Sequence, residues 1–220
     1  MYTVRPPFFL KWYYRNNLIW NKDSTEKFVY LTFDDGPIPN VTSFVLNTLK
    51  SFNVKATFFC IGDNINKHPQ VFEQIKADGH AVGNHTYNHL KGWKTNNKTY
   101  VDNFWKCQEL TGTNLFRPPY GRIKKSQIKE LVTSYKLKVS GNLPPISHNP
   151  QLNIIMWDVL SGDFDLKLSP EKCYQNVIKH TRNGSIIVFH DSLKAWDRLA
   201  YALPKSIEYL LQQGYQFKTL

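Results

Sequence analysis

Apolar positions along the chain follow two spacings in turn. Short β-branched and aromatic runs bounded by Gly, Pro, Asn or Asp predict strands, and runs with a 3.6-residue period predict helices. Strands are expected at Phe28–Phe33, Lys55–Ile61, His80–Asn84, Asn114–Arg117, Lys136–Val139, Asn153–Asp158, Ser185–Phe189 and Tyr215–Lys218. Helices are expected at Asn40–Ser51, with Val41, Val45, Leu46 and Leu49 on one face, and at Pro69–Ala77, Tyr100–Leu110, Lys125–Ser134, Pro170–His180 and Pro204–Gln213. Several carry the usual punctuation, with Pro at the start and Gly79, Gly112 or Gly214 past the end. Gly141–Gln151, with three prolines and two asparagines, reads as an irregular loop.

Alternating strands and helices imply parallel pairing through right-handed crossovers. About seven such units in 220 residues predict an α/β fold built as a closed or nearly closed barrel. No Gly-x-Gly-x-x-Gly follows the first strand, which removes the main support for a dinucleotide-binding sheet.

Composition adds constraints. The chain is 41% hydrophobic and 15% aromatic, without a repeat or low-complexity tract, as expected of a folded domain. A net charge of +11 favours polyanionic contacts, but the Lys and Arg are dispersed and interleave with aromatics in no known nucleic-acid motif. A solvated basic surface is the reading preferred over a specific nucleic-acid partner. Cys60, Cys107 and Cys173 are odd in number and widely spaced, so they form neither a disulfide framework nor a cysteine zinc site. Residues 1–26 form an N-terminal arm expected to pack on the barrel. Its longest apolar run, Phe8-Phe9-Leu10, is too short for a signal-peptide core or a membrane span, which points to a soluble cytoplasmic protein. Oligomeric state has no signature.

The chemistry concentrates just past the C-terminal ends of the predicted strands, the rim where barrel loops converge. The first strand ends in Asp34-Asp35-Gly36-Pro37, which alone would read as a surface turn. Two adjacent carboxylates repel unless a cation or shared proton lies between them. The third strand leads to His85 and His89, whose i, i+4 spacing on a helical turn would aim both imidazoles one way. Alone, such a pair is usually surface. With Asp35 it becomes a facial two-histidine, one-carboxylate set for a catalytic cation that renders water nucleophilic near neutral pH. Asp34 is then placed as general base, Arg117 as its charge partner, and His190 as general acid kept protonated by Asp163. The Tyr120 amide, in a tight Pro-Pro-Tyr-Gly bend, is a candidate oxyanion donor. Asp158 and Asp191 fall on the same predicted rim.

Thr32-Phe-Asp-Asp-Gly-Pro37, His85-Thr-Tyr-Asn-His89, Arg117-Pro-Pro-Tyr120 and Val188-Phe-His190 resemble, in order, the successive motifs of the polysaccharide deacetylase family, the NodB-homology domain of the fourth carbohydrate esterase family. The resemblance covers essentially all of Lys27–Leu220. It implies a distorted, incompletely closed (β/α) barrel and metal-dependent removal of acetyl groups, mostly from N-acetylglucosamine polymers such as peptidoglycan or chitin, sometimes O-acetyl groups from xylan. It assigns Asp34 as base, Asp35, His85 and His89 as ligands of one divalent ion, Arg117 as positioning residue, the Tyr120 amide as oxyanion donor and His190 as acid tuned by Asp163. The ion is expected to be zinc, with cobalt, manganese or nickel as alternatives. Val188, Pro119, Tyr120 and Phe164 are expected to meet the substrate, an acetylated amino-sugar glycan. The family's Asp-x-x-Asp-Trp motif is only partly kept: here Leu160 replaces the first Asp and Phe164 the Trp, which bears on the groove wall. A glycan-binding domain without catalysis is the competing reading, and the retained Asp34 argues against it. The family's substrates usually lie in the cell envelope or outside the cell, in tension with the cytoplasmic expectation.

Overall fold

The computed structural model describes residues 3–14, 17–22, 25–140 and 151–220. The chain opens with a short helix, α1 (Phe8–Tyr13), followed by β1 (Phe28–Asp34), α2 (Val41–Ser51), β2 (Thr57–Cys60), α3 (Gly62–Lys67), α4 (Pro69–Ala77) and β3 (Ala81–Asn84). Next come α5 (Asn97–Thr111), β4 (Leu115–Phe116), α6 (Lys125–Ser140), β5 (Asn153–Ile154), β6 (Val159–Leu160), α7 (Pro170–His180), β7 (Ile186–His190), α8 (Trp196–Gln212) and β8 (Gln216–Phe217). Seven parallel strands, in the order β5-β4-β3-β2-β1-β7-β6, form an open, curled half-barrel, and β8 adds to the start of β1. The distorted, incompletely closed barrel expected from the sequence is the fold observed.

β1 is the axis of the sheet. Its Phe33 stacks on Phe58 of β2 and Phe189 of β7, with ring centroids 5.0 and 6.3 Å apart. Those rings bury against Val45 and Leu49 of α2 and Leu199, Leu203 and Ile207 of α8. A second apolar cluster joins Tyr100 and Phe104 of α5 to Ile128 and Leu131 of α6 and to Leu18 and Trp20 of the arm.

The half-barrel's opening is spanned by that arm. The Ile19 amide donates to the Ile154 carbonyl, and Met156 donates back to the Ile19 carbonyl. On the other side Lys22 donates to Gly184, just ahead of β7, and Leu160 of β6 donates to Val4. A buried carboxylate fastens the arm. Asp158 lies 2.6 Å from Lys11, 3.5 Å from Arg5 and 3.1 Å from Arg182, and it accepts from Ser185 at 2.9 Å.

Three expectations need correction. The strand expected at Lys136–Val139 is the last part of α6, because residues 136–138 are exposed and Tyr135 buries at helical spacing from Leu131. Of the strand expected at Asn153–Asp158 only Asn153–Ile154 is a ladder strand, and the next one, Val159–Leu160, begins just beyond it. β5 pairs with β4 on one edge and β6 with β7 on the other, so residues 155–158 cross the opening. The final helix begins at Trp196, not Pro204. Leu199, Leu203, Ile207 and Leu210 form one buried stripe that carries the helix through the proline. α3 (Gly62–Lys67), directly after β2, is a helix the apolar pattern does not predict. The loop expected at Gly141–Gln151 lies, except for Gln151, outside the described residues.

Candidate active site

Parallel register brings the chemistry together. Asp34 at the end of β1 pairs with Phe59 of β2 and with His190 of β7, so the base and acid candidates stand on adjacent strands. β3 ends at Asn84, next to His85. β4 ends at Phe116, next to Arg117. All four strand ends face one cavity of about 470 Å³, lined by Asp34, Asp35, His85, His89, Tyr120, Trp157, Leu160, Phe164, Val188 and His190.

The chain turns sharply after Asp34. Asp35 has φ +84, a left-handed conformation that an L-residue holds only when its surroundings impose it. Asn64 of α3 donates to the Asp35 carbonyl at 2.7 Å, Ile61 donates to the Gly36 carbonyl, and the Gly36 amide donates to Asp191 at 3.0 Å. A Cβ on Gly36 would stand 2.0 Å from an Asp191 oxygen, so only glycine fits.

The two histidines do not lie on a helical turn. Thr86 and His89 have φ of +62 and +55, and the loop is stitched by side chains. Asn84 Oδ1 accepts from Thr86, and Asn103 Oδ1 accepts from both Tyr87 and Asn88. This reverse turn still delivers both rings to one point, 5.0 Å apart. His85 Nδ1 is 2.7 Å from the Arg117 carbonyl, which leaves Nε2 as the free lone pair toward Asp35. The His85 and His89 Nε2 atoms lie 3.7 and 3.2 Å from Asp35 Oδ1.

Three donor atoms, one each from Asp35, His85 and His89, lie within 4.8 Å of one another. Among the described residues, Asp35 Oδ1 is buried without a hydrogen-bond donor. Burial lowers the proton affinity of both imidazoles, His89 to about 4. Neutral imidazoles around an orphaned carboxylate oxygen form a donor set suited to a divalent cation with open positions.

Asp34 sits beside this set. Burial works against its charge, but Arg117 overrides burial and holds the carboxyl below its usual range. Arg117 is fully buried, and its Nη1 donates to Asp34 Oδ1 at 2.7 Å and to Thr32 Oγ1 at 2.8 Å. Nη2 and Nε donate to the Met156 and Ile155 carbonyls, and the guanidinium carbon lies 4.1 Å from the Phe59 ring centre. Every edge of the fork is therefore engaged.

His190 Nδ1 is 2.7 Å from Asp163 Oδ1, while the His190 amide donates to Asp163 Oδ2 at 2.6 Å. Burial opposes protonation, yet the Asp163 charge and hydrogen bond raise His190 to about 10. Phe164 packs edge-on against the His190 ring at 5.2 Å. Tyr120 holds φ +60, and among the described residues no acceptor meets its amide. Its ring packs on His89 with centroids 4.5 Å apart. Val188 lines the cavity beside His190.

Three residues expected at this rim lie elsewhere. Pro119 is buried in the turn behind Tyr120, because the left-handed bend rotates it off the cavity wall. Asp158 belongs to the arm's cation cluster, at a bend in the segment that crosses the opening. Asp191 is buried under the Gly36 turn, hydrogen-bonded to Thr42 at 2.6 Å, and burial raises it to about 8. Thr32 and Trp157 are additions. Thr32 leaves a polar atom inside an apolar strand, a signal that something buried needs a partner; Trp157 gives no comparable signal.

Comparisons with known proteins agree with this geometry. The sequence profile of the polysaccharide deacetylase family matches residues 21–139. A peptidoglycan-N-acetylglucosamine deacetylase of Bacillus cereus is 29% identical over 211 residues, spanning 91% of this chain and 90% of its own length. A second enzyme of that description from Bacillus cereus is 33% identical over 87% of this chain and 66% of its own length. A chitooligosaccharide deacetylase of Azorhizobium caulinodans is 34% identical, covering 74% of this chain and 73% of its own. The crystal structure of a peptidoglycan N-acetylglucosamine deacetylase in complex with a naphthyl N-hydroxybenzamide superposes with a TM-score of 0.80 at 30% identity, covering 98% and 95% of the two chains. With fold, motif order and sequence profile in agreement, the chain belongs to the polysaccharide deacetylase family.

Proposed function

We propose that this protein is a divalent-cation-dependent hydrolase that releases acetate from N-acetylglucosamine units of a glycan of the peptidoglycan or chitooligosaccharide type. One observation carries the reading: an ionised Asp34, clamped at 2.7 Å by a fully buried Arg117, stands next to the Asp35, His85 and His89 donor set. A binding domain gains nothing from a base held beside a cation site.

Asp35, His85 and His89 would hold the cation. When bound, it supplies Lewis acidity, polarising the acetamide carbonyl and acidifying a water. Zinc suits a set of two imidazoles and one carboxylate, with cobalt, manganese and nickel as alternatives. Asp34 takes the water's proton as it attacks the carbonyl carbon. Arg117 keeps that carboxylate ionised and fixed. The Tyr120 amide donates to the oxygen that gains charge. His190, protonated by its pairing with Asp163, delivers a proton to the departing amine nitrogen. Val188, Leu160 and Trp157 line the cavity and would give the acetyl methyl an apolar seat.

The test is acetate release from chitooligosaccharides and peptidoglycan by the purified protein with zinc, cobalt, manganese or nickel, beside the same protein treated with chelator. Release with cation and loss with chelator are expected. Release only from O-acetylated xylan would make the protein an ester hydrolase. Glycan binding without acetate from any substrate would make it a binding domain.

A further inference from the structure

We propose that the outer face of α1 docks this protein onto an anionic lipid bilayer. Phe8, Phe9, Trp12 and Tyr13 fall at i, i+1, i+4 and i+5, so one side of the helix carries four large aromatic rings. Their exposures are 81, 69, 61 and 55%. The inner side is already engaged: Leu10 and Tyr14 pack on the α5–α6 cluster, and Lys11 is paired with Asp158. The pattern inverts that of an ordinary surface helix, which turns apolar residues inward and polar ones to water. A contiguous apolar patch of this kind marks an interaction surface.

Charge selects the occupant. Residues 1–22 contain Arg5, Lys11, Arg15 and Lys22 and neither Asp nor Glu. Lys125 of α6 adds its ammonium 3.5 Å from the Tyr13 ring centre. Arg5 and Lys11 are taken up by Asp158. Exposed aromatic rings with the Lys125 ammonium against them, on a segment whose sequence holds no acid, still match the chemistry of an interfacial helix on anionic lipid. A second copy of this chain would bring the same cations face to face, in molecules that each carry a net charge of +11. A glycan strand fits poorly as well. Phe8 and Phe9 offer no hydrogen-bonding atom for hydroxyls, and four rings on a convex helix cannot share one stacking plane. No helix among the described residues is long and apolar enough to cross a membrane.

The docked face would lie beside the cleft. Pro6, Pro7, Leu10 and Tyr14, on the arm's inner side, line a recess of about 250 Å³ that shares Tyr120, Arg122 and Trp157 with the metal-site cavity.

The full chain is to be sedimented with vesicles of phosphatidylglycerol and phosphatidylcholine, and with phosphatidylcholine alone, at low and high salt. The comparison is the triple variant Phe8→Ser, Phe9→Ser, Trp12→Ser, whose fold is checked by its melting curve. Binding to the anionic vesicles is expected to weaken about tenfold or more in the variant and to fall with salt. Brominated lipid is expected to quench more fluorescence in the wild type than in Trp12→Phe, a reading that does not depend on the triple variant folding. No binding to anionic vesicles overturns the proposal. Equal binding by wild type and folded variant also overturns it, because net charge alone then suffices. So does a wild-type dimer that the variant dissolves, or aromatic-dependent retention on peptidoglycan or chitin without vesicle binding.

Discussion

Arg117 Nη1 lies 2.7 Å from Asp34 Oδ1; Arg117 is fully buried, and Asp34 is buried except where it meets the cavity. The pair joins the site's chemistry to the barrel's stability, and its two halves respond differently to substitution. Asp34→Asn keeps shape and a hydrogen-bond acceptor but removes the carboxylate proposed as the base. Acetate release is expected to fall about 10²–10⁴-fold. The loss of melting temperature is expected to be smaller than Arg117→Met causes, because the amide oxygen still accepts from Arg117 while its counter-charge is gone. Arg117→Met leaves Asp34 buried and unpaired, so it is expected to cost about 3–5 kcal/mol of stability as well as activity. Thermal melts beside acetate assays separate the two. Acetate release by the Asp34→Asn variant at the wild-type rate would remove Asp34 from the mechanism.

His190 is raised to about 10 by Asp163, from an ordinary value of 6.5. Because the folded value exceeds the unfolded one, the pair's stabilisation is fully present below pH 6.5 and is lost as pH rises through about 10. Asp163→Asn is expected to pull the alkaline limb of the pH–rate profile toward neutrality and to flatten the fall in urea midpoint between neutral and alkaline pH. An unmoved alkaline limb would separate His190 from the proton delivery.

Cation binding is expected to stabilise as well as activate. A ligand at about a hundred times its dissociation constant adds about 2.7 kcal/mol to a folded state that alone binds it. Zinc should therefore raise the melting temperature of the wild type. Asp35→Ala, His85→Ala and His89→Ala should each abolish most of that rise, and titration calorimetry should show the same loss. A full rise in all three variants would place the cation elsewhere.

Asp158 holds the arm through Lys11, Arg5 and Arg182. Burial pushes its carboxyl up, but Lys11, Ser185 and Arg182 outweigh burial and leave it below its ordinary 3.8. The clamp's contribution is therefore present above that value and is lost as pH falls through the lower folded one. Asp158→Ala is expected to cost about 2 kcal/mol, less than a fully buried pair, because Arg5 and Arg182 can turn to water. Proteolysis of the arm at neutral pH, mapped by mass spectrometry, should accelerate in the variant.

The site is more legible in the sequence than its supports are. Asp34, Asp35, His85, Arg117 and His190 each sit at or just after the end of a parallel strand, and fold class alone sends such residues to one rim. The histidine turn defeats a local reading because i, i+4 spacing is also met by a loop with two left-handed residues, and nothing nearby in the chain distinguishes them. Asp158 leaves the rim because it lies not at a strand end but at a bend in the segment that crosses the opening, which the apolar run Asn153–Asp158 does not reveal. Its partner Lys11 is 147 residues away, beyond any local pattern. The last helix runs through Pro204 because a buried stripe on one face outweighs one missing backbone donor.

The arm that spans the opening sets an order of events. Its residues precede the sheet in the chain, yet the partners of Ile19 and Lys22 lie at Ile154, Met156 and Gly184, far along the sequence. Contacts of such sequence separation form late, after the intervening units have collapsed. Until then β5 and β6 are bare strand edges on either side of a gap, the kind of edge that recruits a neighbouring chain. Removing the arm is thus expected to appear first as aggregation during refolding, whatever the arm contributes to the finished enzyme.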